Sequence, residues 1–310
     1  MPMRRTCQRP LRQLAAVSRG AFVLALLLVA GCRAFRCPKA SDEAIASARQ
    51  LSLQGMAARD QGRWEQAESL YAEAVGQCPR DERARCGYAE SLWQRGEQVQ
   101  AVAHMEEAVR LSGHDPERLV QLGNMYLARG ELTRAAAQAE RAVAANRELA
   151  SAWALRGKVL QSQGSRTEAL ASFHRALTLQ QQYPEVQLAL SNIYCEQGRP
   201  QRALTTLQSL ADSLPPDRVP VEVLVQQGLA LRQLGRHHDA ARSLAQAAGR
   251  GNPPVDLLYE LGRSHLAAGD TAAARLAVNA ALAREPNHSG CLALREELAA
   301  SHGIMAAAMR

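Results

Sequence analysis

Apolar side chains recur along the chain at three- and four-residue intervals, as at Leu119, Leu122 and Tyr126, or at Trp153 and Leu160. That is the spacing of one helix face. Glycine punctuates these runs at a fixed interval. The segments GRWEQA, GEQVQA, GELTRA, GSRTEA, GRPQRA, GRHHDA and GDTAAA each place an alanine five residues after a glycine. Their glycines are Gly62, Gly96, Gly130, Gly164, Gly198, Gly235 and Gly269, spaced 34 residues apart except for one interval of 37. Seven residues before each of them the side chain is small: Gly55, Ala89, Gly123, Gly157, Ser191, Gly228 and Gly262. The paired alanines (Ala67, Ala101, Ala135, Ala169, Ala203, Ala240, Ala274) are followed seven residues on by Ala74, Ala108, Ala142, Ala176, Leu210, Ala247 and Ala281. Small residues at facing positions let two helices pack closely. The pattern therefore predicts two helices per unit, with each glycine as the left-handed stop between them. Pro200 stands at a predicted helix start, and Pro79, Pro116, Pro184, Pro215, Pro216, Pro253, Pro254 and Pro286 fall between units.

This pattern resembles the tetratricopeptide repeat, a 34-residue helix–turn–helix unit, in seven tandem copies. The resemblance implies an all-α fold, an α-solenoid wound as a right-handed superhelix with a concave groove. One hairpin cannot bury its apolar faces alone, so each leans on its neighbours. Repeats one to five take residues 48–217 and repeats six and seven residues 221–288. The 37-residue interval predicts a longer connector around 218–220, with a change of curvature there. Residues 289–310 read as an amphipathic capping helix, with Leu292 and Leu298 against Arg295, Glu296 and Glu297, and a tail that frays after Gly303.

The amino-terminal segment has a different character. Residues 1–19 hold five arginines and no acid, and the ten apolar residues 21–30 are too few to span about 30 Å of hydrocarbon. They suit the apolar region of a secretory leader. Val29-Ala30-Gly31-Cys32 resembles the lipobox of bacterial lipoproteins. That resemblance implies a leader over 1–31, a covalent diacylglycerol and an N-acyl lipid at Cys32, and an acylated tether over 32–47. It also implies a bacterial cell-envelope protein anchored by fat, with Arg33 favouring the periplasmic face of the outer membrane. The formal net charge of +7 owes five units to the leader's arginines, so residues 32 onward carry only +2. A body so near neutrality lacks the cations that drive nucleic-acid binding by counterion release.

Catalytic and metal signatures are missing from the sequence. There is no G-x-S-x-G, P-loop, dinucleotide fingerprint, H-E-x-x-H or C-x-x-C. His237 and His238 are adjacent, and neighbours on a helix point about 100° apart, so a solvated helix start explains them better than a metal. Cys37, Cys78, Cys86, Cys195 and Cys291 make an odd set beyond Cys32 and Cys7, and Cys78 and Cys86 either bridge across a turn or stay as buried thiols. No enzyme and no cofactor other than the lipid is expected.

What remains is the groove. In the tetratricopeptide family a second stripe on each first helix lines the concave face. Carried over residue by residue, it runs through Arg49, Met56 and Arg59, then Arg83, Cys86, Glu90 and Trp93. It continues with Val120, Asn124 and Leu127, then Ala154, Lys158 and Gln161. The last three repeats supply Leu188, Asn192 and Cys195, then Val225, Leu229 and Arg232, and finally Tyr259, Arg263 and Leu266. Mixed charge with Trp93 and Tyr259 suits a protein or peptide with apolar anchors. The Lys/Asn clamp of some family members is not matched, because Val120 and Leu188 stand where a cation is wanted. The expected function is a non-catalytic scaffold or adaptor. The rivals are a pilotin-like lipoprotein assisting secretin or type IV pilus assembly, an enzyme subunit, and a self-assembling spacer.

Overall fold

The computed structural model describes residues 41–308, which form fifteen helices and no strand. They come in pairs: α1 (Asp42–Asp60) with α2 (Trp64–Gln77), α3 (Glu82–Gln94) with α4 (Gln98–Leu111), and α5 (Pro116–Ala128) with α6 (Leu132–Ala145). Next come α7 (Ala150–Ser162) with α8 (Arg166–Leu179), and α9 (Pro184–Glu196) with α10 (Pro200–Asp212). After the connector follow α11 (Val221–Gln233) with α12 (His237–Ala248) and α13 (Val255–Ala267) with α14 (Thr271–Arg284), and α15 (Ser289–Ala308) closes the stack. The arrangement is an α-solenoid.

Each pair turns on its recurring glycine. All seven have φ between 66° and 91°, a conformation in which a Cβ is strained. The amide after the glycine then reaches five residues back to a helix carbonyl, as in Arg63 to Ala58, Glu131 to Tyr126 and Asp270 to His265, each 2.9 Å. This is the Schellman closure that satisfies the last carbonyls of a helix. Close helix approach follows from the small residues. The seven paired alanines from Ala67 to Ala274 are all fully buried. A Cβ built on Gly157 lies 2.5 Å from the ring of Phe173, and one on Gly87 lies 2.2 Å from the ring of Tyr71. Tyr71 thus wedges between α1 and α3, and burial pushes its hydroxyl up to about 12.

Three boundaries differ from expectation. The helical body starts at Asp42, inside the span assigned to the tether, because the Ser41 hydroxyl accepts the Ala44 amide at 3.2 Å and caps α1. The connector covers residues 213–220 and is longer than the three residues expected. It does not part the core: Val219 is buried with Leu207 and Leu210 on one side and Val223 and Leu224 on the other. At the carboxyl end α15 runs on to Ala308, past Gly303. No helix among the described residues is long and apolar enough to cross a membrane. The leader, Cys32 and Cys37 lie outside the described residues.

Candidate functional site

First helices of neighbouring repeats touch directly, α1 on α3, α5 on α7, α9 on α11 and α11 on α13, and the expected stripe runs along them. A hollow of about 470 Å³ lies over α1, α3 and α5, with Tyr71 of α2. It is lined by Leu53, Met56 and Tyr71 and by four arginines, Arg49, Arg59, Arg83 and Arg118. A second hollow of about 360 Å³ adjoins it through the shared side chains Glu90 and Gln121, and holds Trp93, Asn124, Met105 and Met125. Arg49, Met56, Arg59, Arg83, Trp93 and Asn124 of the expected stripe are therefore brought together.

A cross-repeat hydrogen-bond chain organises the first hollow. The Arg59 guanidinium donates to Glu90 Oε2 at 2.8 Å and pairs with Asp60 at 3.0 Å. Gln121 Nε2 donates to Glu90 Oε1 at 3.0 Å, and Arg118 donates to Gln121 Oε1 at 2.9 Å while approaching Glu82 at 3.7 Å. Cys86 Sγ sits 3.3 Å from Gln121 Oε1 and 3.6 Å from Glu90 Oε1, and its proton points into the same chain. Burial, reinforced by the Glu90 carboxylate, pushes this thiol up to about 12. A raised thiol pKa keeps Cys86 protonated, as a hydrogen-bond donor within the chain. Cys78 and Cys86 are separate free thiols, so the bridge between them is not formed.

Arg118 and Gln121 were not on the expected stripe. They lie one residue, about 100°, off its phase, and Gln121 meets Glu90 31 residues ahead of it, as Glu90 meets Arg59. A search for opposite or complementary polar residues at that offset finds Arg59, Glu90 and Gln121 in one pass.

Further along, the stripe divides. Val120 and Ala154 are buried, Val120 in the core with Leu119 and Leu122 and Ala154 in the core with Phe173, and neither lines the groove. Tyr259 at the equivalent position is half-buried, 5.6 Å from the ring of His288, and packs toward α15. Leu188 and Val225 lean on the core around the connector, and Leu127 on that of the early repeats. Lys158 is bound to Glu185 at 2.5 Å, and Arg232 to Glu260 at 3.1 Å. Arg263 lies 5.6 Å from the Tyr259 ring centroid and 3.9 Å from Glu260. Gln161, Asn192, Leu229, Cys195 and Leu266 are half-buried along the same face. The later groove is thus largely self-paired, and the open chemistry is concentrated in repeats one to three.

Comparison with known proteins agrees with the fold. Tetratricopeptide repeat models match residues 52–116, 120–185 and 225–289, and a second such model matches 160–220. No curated protein sequence matches the chain. Among solved structures, PilF of Pseudomonas aeruginosa is 18% identical with a TM-score of 0.62, over 71% of this chain and 99% of its own. PilW, described as a widely conserved type IV pilus biogenesis factor, is 18% identical with a TM-score of 0.60, over 66% of this chain and 93% of its own. YrrB, described as having an unusual peptide-binding site, is 21% identical with a TM-score of 0.53, over 62% and 97%. These likenesses concern the fold. With the repeat models spanning more than half of its length, and its turns, packing and period all agreeing, the chain belongs to the tetratricopeptide repeat family.

Proposed function

We propose that this protein is a non-catalytic adaptor of a bacterial cell envelope, held to lipid through Cys32, that grips a segment of a protein partner along its first helices. The observation that carries the reading is the pair of adjoining hollows over repeats one to three, each lined by apolar and polar side chains together. Hydrogen-bonding groups beside apolar side chains suit an extended or helical peptide, where main-chain contacts add to side-chain anchors. The lipobox-like Val29-Ala30-Gly31-Cys32 supports the anchor, and several acyl chains are what stable attachment requires. A narrower version, assistance to secretin or type IV pilus assembly, draws on the likeness to PilF and PilW.

Photo-crosslinking in the cell tests the groove. A crosslinking residue at Met56 or Asn124 is expected to capture a partner protein, while one at Val99 or Leu276, exposed on second helices, captures none. Capture from Val99 or Leu276 alone refutes the groove. The anchor is tested separately: Cys32→Ser should abolish palmitate labelling and release the protein from membranes, and retained labelling refutes it.

A further inference from the structure

Four large apolar side chains are exposed among the described residues: Leu53 (59%), Met56 (43%), Val99 and Leu276. Val99 and Leu276 lie singly on α4 and α14, as surface apolar residues commonly do. Leu53 and Met56 share one hollow with Tyr71, and apolar exposure concentrated in a concavity marks a contact site. Its volume, about 470 Å³, falls within the range of ordinary ligand pockets.

Four arginines and two carboxylates, Asp81 and Glu90, line this hollow, and Asp60 and Glu82 pair with Arg59 and Arg118 from beside it. Arg59 and Arg118 are engaged in the chain through Glu90, Gln121 and Glu82. Asp81 is committed to the start of α3, where it accepts the amides of Arg83 and Ala84 at 2.9 and 3.2 Å. Arg49 and Arg83 are exposed, stand at equivalent positions of successive repeats, and enter no ion pair among the described residues. Two guanidiniums without an ion-pair partner among the described residues thus line the hollow beside Leu53, Met56 and Tyr71.

Building on the adaptor reading, we infer that this hollow is a subsite for an acidic peptide segment. One or two aliphatic or aromatic side chains lie on Leu53, Met56 and Tyr71, and carboxylates next to them in sequence pair with Arg49 and Arg83. Guanidiniums suit this task because their planar fork meets a carboxylate through two hydrogen bonds. The chain's own segment just before the fold is a poor occupant. Its charges are Arg33, Arg36 and Lys39, all of the sign the rim repels.

A synthetic array of random peptides probed with the full chain carrying Cys32→Ser tests this. Peptides that bind are expected to be enriched in Asp or Glu within a few residues of Leu, Ile or Phe. Arg49→Gln with Arg83→Gln should weaken them about tenfold, as two partly exposed charge pairs warrant. The control Arg141→Gln with Arg242→Gln removes the same charge from exposed sites elsewhere and should leave binding unchanged. Circular dichroism of both variants should match the parent. Peptides without acidic residues binding equally well, or no loss specific to Arg49 and Arg83, overturns the inference. So does competition by dihexanoyl phosphatidylglycerol alone with no peptide response, which gives the hollow to a lipid headgroup. If the array fails while Met56 and Asn124 still crosslink a partner, only the chemistry of the subsite is wrong. If both fail, the adaptor reading falls with it.

Discussion

Phe173 fills the volume that a side chain at Gly157 needs, and its ring is fully buried with no room to retreat. Gly76, near the end of α2, meets nothing within 4 Å and is exposed. Alanine at these two helical glycines should act in opposite directions. Gly157→Ala overpacks the α7–α8 seam and should cost about 1–3 kcal/mol. Gly76→Ala restrains the unfolded chain at no steric cost and should stabilise by about 0.5 kcal/mol. Urea unfolding of the pair separates the two effects, and a neutral Gly157→Ala means that α7 and α8 are not held as close as the described packing has them. The small position was legible in the sequence because its period repeats, but the identity of the filling side chain was not. Tyr71, Phe173 and Leu244 occupy it from the partner helix, whereas at Gly123 the nearest atom comes from Leu155 of the next repeat.

At the scale of elements, helices and turns were the most legible feature, since glycine spacing and proline placement are local. What the period hid is the contact between repeats. Val120 and Ala154 fall on the expected stripe, yet both are buried in the core; Arg118 and Gln121 fall off it, yet line the hollow. Both errors have one cause, because the offset between adjacent repeats is a three-dimensional quantity that a one-dimensional register does not contain. The connector shows how a three-residue slip is absorbed without opening the stack. Arg250, at the end of repeat six, donates to the carbonyls of Val219 and Pro216, and Arg284, 34 residues later, donates to Pro253. Charge-assisted bonds to carbonyls are among the stronger ones. Arg250→Ala should therefore speed amide exchange over residues 217–223 and leave α3–α6 unaltered, because stability in such arrays is a nearest-neighbour property. Unchanged exchange at the connector means that Val219, and not Arg250, holds it down.

Over the whole molecule the two ends differ. At the carboxyl end α15 lays Cys291, Leu294 and Leu298 onto Leu258, Val278 and Ala281, and all six are buried. At the amino end Leu53 of α1 stays exposed beside the arginine-lined hollow. A stack of hairpins needs a polar-faced terminal element to stay folded and soluble. Among the described residues, apolar surface stays open beside the hollow at the amino end and not beneath α15 at the carboxyl end. Removing α15 by ending the chain at Asn287 strips that cover from the last pair. Burial of Leu294 and Leu298 is worth roughly 3–6 kcal/mol together, a large fraction of what one hairpin contributes. Hydrogen exchange should then show α13 and α14 opening while α3 to α8 keep their protection, and urea unfolding should split into two steps. A single unshifted transition shows instead that the seven pairs unfold as one unit, and the view of this molecule as a chain of neighbour contacts fails with it.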